Sequence, residues 1–166
     1  LSVPFLRLVK NYSHTGLRKL RLLNCAVGAS VGQPLILYTP DDDFLARLPF
    51  LRQLSLMRKA SSSQEHMASF LKPHERVHIV GRVHPTLNFD QVMTHMPSGC
   101  NVDVVVMDVE GHEKEIICSL DIDRYKPDLI IYESIHLGTD KEKIREVLAP
   151  FGYRFFDCPP DTIAAA

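Results

Sequence analysis

Six ionisable side chains fall in two short stretches of this 166-residue chain. Asp108, Glu110, His112 and Glu113 follow the apolar run 102–107, and Glu133 and His136 follow a second one over 127–132. A carboxylate or imidazole at the mouth of a cleft can take a proton from a reacting group, directly or through water. Asp108 and Glu110, with His112 and His136, are the candidates for such a group. The same residues also have a structural reading, in which Asp108 and Glu110 complement the positive N-terminus of the helix that follows and the histidines are solvated loop residues.

The elements that position these groups are legible from periodicity. Residues 102–107 form an almost continuous apolar run, the kind a parallel strand needs when helices cover both faces of its sheet, and this is expected to be the central strand. Ile116, Ile117 and Leu120 then place one apolar stripe on a helix. The order repeats with a strand over 127–132, a loop over 133–138 and a helix from Lys141, where Ile144, Val147, Leu148 and Phe151 match the i, i+3, i+4, i+7 template. Thr139 and Glu142 have the spacing of a capping box, and Gly152 sits where a left-handed C-terminal residue belongs. A final strand is expected over 153–156. Alternating strands and helices imply a mainly parallel sheet with flanking helices, and ligands in such sheets collect beyond the carboxyl ends of the strands. That rule puts Asp108, Glu110, His112, Glu133 and His136 over one cleft.

Upstream, Phe5, Leu8, Val9 and Tyr12 recur at helical spacing, predicting a helix from Pro4 that ends near Gly16. Residues 20–27 and 35–38 read as two strands able to form a hairpin around Gly32. The span 40–73 does not resolve into one pattern. Phe44, Leu45, Leu48 and Leu51 suggest a helix that Pro49 would interrupt. That Leu-rich segment, 44–59, is either a lid on the acceptor side or a covering helix with a solvated face. Residues 61–63 read as loop, 76–83 as a strand, and Thr86 as the cap of a short helix through Phe89, Val92 and Met93 to Pro97.

Composition narrows the function classes. The net charge is -1 and the basic residues are interspersed with acids, so nucleic acid is not an expected partner. No apolar run approaches the roughly 20 residues that span a bilayer. Cys25, Cys100, Cys118 and Cys158 are scattered and form no C-x-x-C pair, which fits a reducing, cytoplasmic setting and signals neither zinc nor a disulfide framework. His74, His78 and His84 have no completing cysteine or acid pair, and Asp41, Asp42 and Asp43 suit a helix start better than a cation site. No metal is expected.

Two linked motifs carry a resemblance. Asp108-Val109-Glu110-Gly111-His112-Glu113 after a hydrophobic strand, followed by Lys126-Pro127-Asp128-Leu129-Ile130-Ile131-Tyr132-Glu133, resembles the FkbM-family methyltransferases. In that family a D-x-E-G-x-E loop precedes a K/R-P-x-hydrophobic-hydrophobic-x-E strand. Asn24-Cys25-Ala26-Val27-Gly28, Thr86-Leu87 and Phe151-Gly152-Tyr153 match further family segments in order. Asn88 stands where the family has an aspartate, and Met107 where it usually has a lysine.

The resemblance implies a Rossmann-like class I methyltransferase fold, present in part over residues 1–166, with the N-terminal strand-helix-strand and its cofactor loop absent and some strand edges unpaired. It implies S-adenosylmethionine as cofactor, bound by Asn24, Cys25, Ala26 and Asp108, with Asp108, Glu110 and His112 catalytic. The reaction would be transfer of a methyl group to a hydroxyl oxygen of a small-molecule, sugar or lipid-like acceptor, and this chain alone is expected to bind the cofactor poorly. Two other readings stand beside it. One is a catalytically inactive methyltransferase-like binding or scaffold domain or gene fragment; the other is a carboxylate-based hydrolase using Asp108 and Glu110, for which no G-x-S-x-G nucleophile motif is present.

Overall fold

The computed structural model describes residues 23, 25–30, 32–57, 59–109 and 111–166. The helix expected from Pro4, half of the strand expected over 20–27, and the candidates Asn24 and Glu110 lie outside the described residues. In chain order the described elements begin with β1 (Ala26–Val27), β2 (Leu35–Pro40), α1 (Asp42–Ala46), α2 (Phe50–Met57) and α3 (Gln64–Ser69). A 3-10 helix, Pro73–His78, leads to β3 (Ile79–His84), β4 (Thr86–Leu87) and α4 (Phe89–Met93). Then follow β5 (Val104–Met107), α5 (Glu113–Ser119), α6 (Ile122–Tyr125), β6 (Leu129–Glu133), α7 (Asp140–Leu148), β7 (Arg154–Cys158) and β8 (Asp161–Ala165).

The largest sheet has the order β5-β6-β8-β7. β5 and β6 run parallel, with Met107 opposite Tyr132, whereas β8 is antiparallel to both β6 and β7. The expectation of a mainly parallel sheet is corrected here: the sheet is mixed, because the chain turns at 159–160 and returns as β8, which inserts between β6 and β7. The strand expected over 153–156 is therefore not the final one. β5 is also not central. It lies at one end of the strand order, and among the described residues nothing pairs with its outer edge.

Helices cover one face of this sheet. Side chains alternate along a strand, so Val105 and Met107 are buried while Val104 is 48% and Val106 69% exposed; among the described residues one face of this run is covered, where both were expected to be. Val105, Met107, Ile130, Tyr132 and Ala164 meet Ile116, Ile117, Ile144 and Leu148 of α5 and α7 in one core. Each fully buried aliphatic side chain there contributes about 1.5–3 kcal/mol. The α7 stripe matches its sequence template at Ile144 and Leu148, but Phe151 is exposed. Thr139 is itself helical and its side chain makes no capping bond, so the capping box read from Thr139 and Glu142 does not form. Gly152 has φ +90°, as its position after the helix requires.

A second core forms where the sequence was least legible. Phe44, Leu45, Leu56, Met67 and Leu71 cluster with Tyr38 and Ile79, so α1, α2 and α3 pack on the antiparallel pair β2-β3. Pro49 separates α1 from α2, and the 44–59 segment is a covering layer with Phe50 and Leu51 exposed. The hairpin expected between the first two strands is replaced by longer-range pairings: β1 runs parallel to β4 and β2 pairs with β3. Residues 73–78, partly assigned to a strand from sequence, are helical because Pro73 opens a turn that Glu75 closes on the Lys72 amide. Asn88, not Thr86, caps α4, in a reciprocal capping box with Gln91; Thr86 is taken up by β4. No helix among the described residues is long and apolar enough to cross a membrane.

Glu75 makes part of this second core pH-sensitive. Its buried carboxylate accepts from the Arg52 guanidinium at 2.5 Å and the Lys72 amide at 2.9 Å, and these contacts, the arginine first, hold its pKa down from 4.5 to about 2. Between those values the unfolded chain binds a proton that the folded chain does not, so stability rises with pH across that window. The contribution is complete above about pH 4.5 and disappears as pH falls toward 2. Denaturant melts at pH 6 and pH 3 are expected to show a smaller acid-induced loss for Glu75→Gln than for the wild type; equal losses would contradict this assignment.

Candidate active site

Because β5 and β6 are parallel neighbours in register, the segments leaving their carboxyl ends start side by side. Asp108 follows β5 directly and Glu133 ends β6. Between Asp108 and α5 the chain makes a tight loop organised by Glu113, whose carboxylate accepts from the Val109 amide at 2.8 Å and the Gly111 amide at 3.0 Å. Glu113 is 1% exposed, so these charge-assisted bonds are shielded from water. Gly111 has φ +98°, a conformation that residues with a Cβ rarely adopt, and this is what lets the chain curl around the carboxylate. The D-x-E-G-x-E spacing thus encodes a loop that its own last acid closes.

The closed loop brings Asp108, Glu113 and Glu133 together, with one carboxylate oxygen of each within 4.8 Å of the others. Both Glu113 oxygens are committed to loop amides, so its role in the cluster is to build it. The acids in the first turn of α5 are Glu113 and Glu115. Asp108 lies five residues ahead of that helix start, and complementing the helix N-terminus is therefore not its task. Asp108 is exposed and Glu133 half-buried, an arrangement that presents negative charge at the strand ends.

Of the five residues expected over one cleft, the four that are described are divided. Asp108 and Glu133 share the carboxylate cluster, while His112 turns to Ser62, with 2.6 Å between Oγ and Nε2. His136 meets the edge of the His66 ring at 5.7 Å between centroids. His112 also borders a cavity of about 210 Å³ beyond the end of β1. Its other walls include Val27, Gly28, Ala29, Thr86 and Glu115, and Asp108, Glu133 and His136 are not among them. The reason is local: three residues separate Asp108 from His112, and the turn at Gly111 sends the two side chains to different neighbours.

The upstream candidates approach this cavity. Ala26 lies in β1 opposite Thr86, and the residues just after it form the wall. Cys25 is half-buried, and burial pushes its thiol pKa up, which keeps it protonated and unreactive. The Thr86 hydroxyl donates to the Gln33 carbonyl, tying the loop after β1 to β4. A wider hollow of about 360 Å³ lies elsewhere, between α4 and α6; its acid, Asp90, is engaged by the Tyr125 hydroxyl and by Arg124.

The histidines weighed as metal ligands are otherwise occupied where their contacts are seen. His78 Nδ1 pairs with Asp41 at 2.9 Å and its ring stacks on Phe44. Asp41 caps α1 through the Phe44 amide, with Asp42 and Asp43 in the first turn, the helix-start role read from their spacing. Sequence reasoning missed two residues of the site. Glu113 was visible as the closing acid of its motif, and its position at a helix start was the available signal. Ser62 left none, since its partner is 50 residues away.

Among known families, the model of the methyltransferase FkbM domain matches residues 7–155. No curated protein and no solved structure matches the chain.

Proposed function

The chain belongs to the FkbM methyltransferase family, and from that premise we propose that it transfers the methyl group of S-adenosylmethionine to a hydroxyl oxygen of a small-molecule, sugar or lipid-like acceptor. On this reading the sheet β5-β6-β8-β7 is the second half of a Rossmann-like methyltransferase sheet. The observation that carries the proposal is the carboxylate cluster of Asp108 and Glu133 at the ends of adjacent parallel strands. Such a set is complementary to a sulfonium cation, and Gly28, with no side chain, and Ala29, with a methyl group, would leave the wall of the cavity that His112 borders open to a flat ring. The donor set therefore fits the cofactor.

When bound, S-adenosylmethionine supplies the methyl group on a positively charged sulfur. The chain's part is to hold the reacting atoms in line, which accounts for most of the acceleration in such displacements, and to accept the proton that an alcohol must lose. On this reading Asp108, at the end of β5, would face the developing change of charge. Glu110, His112 and His136 remain the further candidates for the proton. Ala26, with Asn24 and Cys25, precedes the cavity wall and would lie on the adenine side. The four cysteines are free thiols, which suits a reducing cytoplasm.

Titration of the full-length protein with S-adenosylmethionine, followed by transfer of a labelled methyl group to a panel of hydroxylated acceptors, tests the proposal. Saturable binding with label on an acceptor oxygen is expected. Binding without transfer to any acceptor would favour a non-catalytic scaffold, and absence of both would remove the methyltransferase reading.

A further inference from the structure

We propose that Ser62 is a positioning residue for His112: its hydroxyl oxygen accepts the Nε2–H of the imidazole and leaves Nδ1 with the lone pair that takes the acceptor's proton. This rests on the reading of His112 as a base. Ser62 lies on a backbone held from both sides. Ser61, 3% exposed, exchanges two backbone bonds with Tyr38 of β2, at 2.7 and 3.2 Å. Ser63 on the other side caps α3 through the His66 amide at 3.2 Å. His112 is equally fixed, since its amide bonds to Val109 and its carbonyl accepts from Ile116. A contact of 2.6 Å between two side chains so anchored restricts ring rotation, and it joins the α3 layer to the motif loop.

The direction of this one bond decides what the pair can do. Neutral imidazole has one N–H and one lone pair, and the nitrogen that keeps the lone pair is set by the bond the other makes. If the serine hydroxyl donated to Nε2, Nδ1 would carry the proton and the ring would have no site left for an incoming one. With the serine as acceptor, a proton leaving the acceptor's oxygen binds to Nδ1, and the resulting imidazolium keeps its Nε2–H on Ser62. The C–O bond to the new methyl group forms as the sulfur–carbon bond breaks, and the sulfur retains that electron pair. The same segment reaches the second loop, since His66 four residues on touches His136. Residues 62–66 therefore touch both strand-end loops.

Nitrogen-15 histidine labelling tests this directly. In a protein with 8 histidines, His112→Gln assigns the resonance. The wild type is expected to show a His112 Hε2 proton protected from exchange with water; Ser62→Ala loses it and Ser62→Thr retains it. A protected Hδ1 in the wild type, or an Hε2 that persists in Ser62→Ala, overturns the proposal. Backbone amide spectra report whether Ser62→Ala folds, and if it does not, the wild-type and Ser62→Thr spectra decide alone. The parent reading fails separately: His112→Gln with undiminished methyl transfer would remove the base role whatever the tautomer.

Discussion

Replacing Asp108 with asparagine is expected to slow methyl transfer by about 100-fold or more, the range for a lost acid–base group, while leaving stability within about 0.5 kcal/mol of wild type, as for an ordinary surface substitution. Asp108 is exposed and lies outside the first turn of α5, so neither packing nor helix capping depends on its charge. Removing that charge also relieves repulsion from Glu113 and Glu133, whose oxygens lie within 4.8 Å. Rates with labelled S-adenosylmethionine, set against a denaturant melt of the same preparation, measure both quantities. A variant that lost stability in proportion to turnover would return Asp108 to a structural role.

Glu113→Ala is expected to produce the opposite pattern, a loss of about 3 kcal/mol or more in folding stability. Its carboxylate accepts from two amides and is 1% exposed. A hydrogen bond to a charged group contributes about 1.5–3 kcal/mol, and a buried donor left unpaired adds its own desolvation cost. Glu113→Gln keeps one acceptor oxygen but turns an amide N–H₂ toward the other backbone donor, so about half that loss is expected. Urea midpoints for the three proteins measure the order wild type, glutamine, alanine. An alanine variant as stable as the wild type would mean that the loop does not rely on this residue. Together the two substitutions separate an acid that faces the reaction from one that builds the loop behind it.

Legibility from sequence tracked the range of the interactions. The β5 and β6 runs and the α7 stripe were readable because each rests on a local period. Ile144 and Leu148 are buried one turn apart, and Val105 and Met107 two residues apart. Capping was less reliable. Thr86 and Thr139 both had the right residue type at the right offset, yet Thr86 was drawn into pairing with β1, and Thr139 takes an αR backbone from which its side chain makes no capping bond. The span 40–73 was opaque because its three short helices take their order from the β2-β3 pair they cover, and no helix there is long enough to set a period of its own.

By itself the sequence determined that β5 and β6 would be strands with Asp108 and Glu133 at their carboxyl ends, and that α5 and α7 would each bury one apolar stripe. Those features follow from residue types within a few positions of one another. Only the tertiary structure decided that β8 inserts between β6 and β7 and that His112 turns toward Ser62. Each of these last depends on where a distant backbone comes to rest, and contacts between residues tens of positions apart leave no periodic trace in the chain.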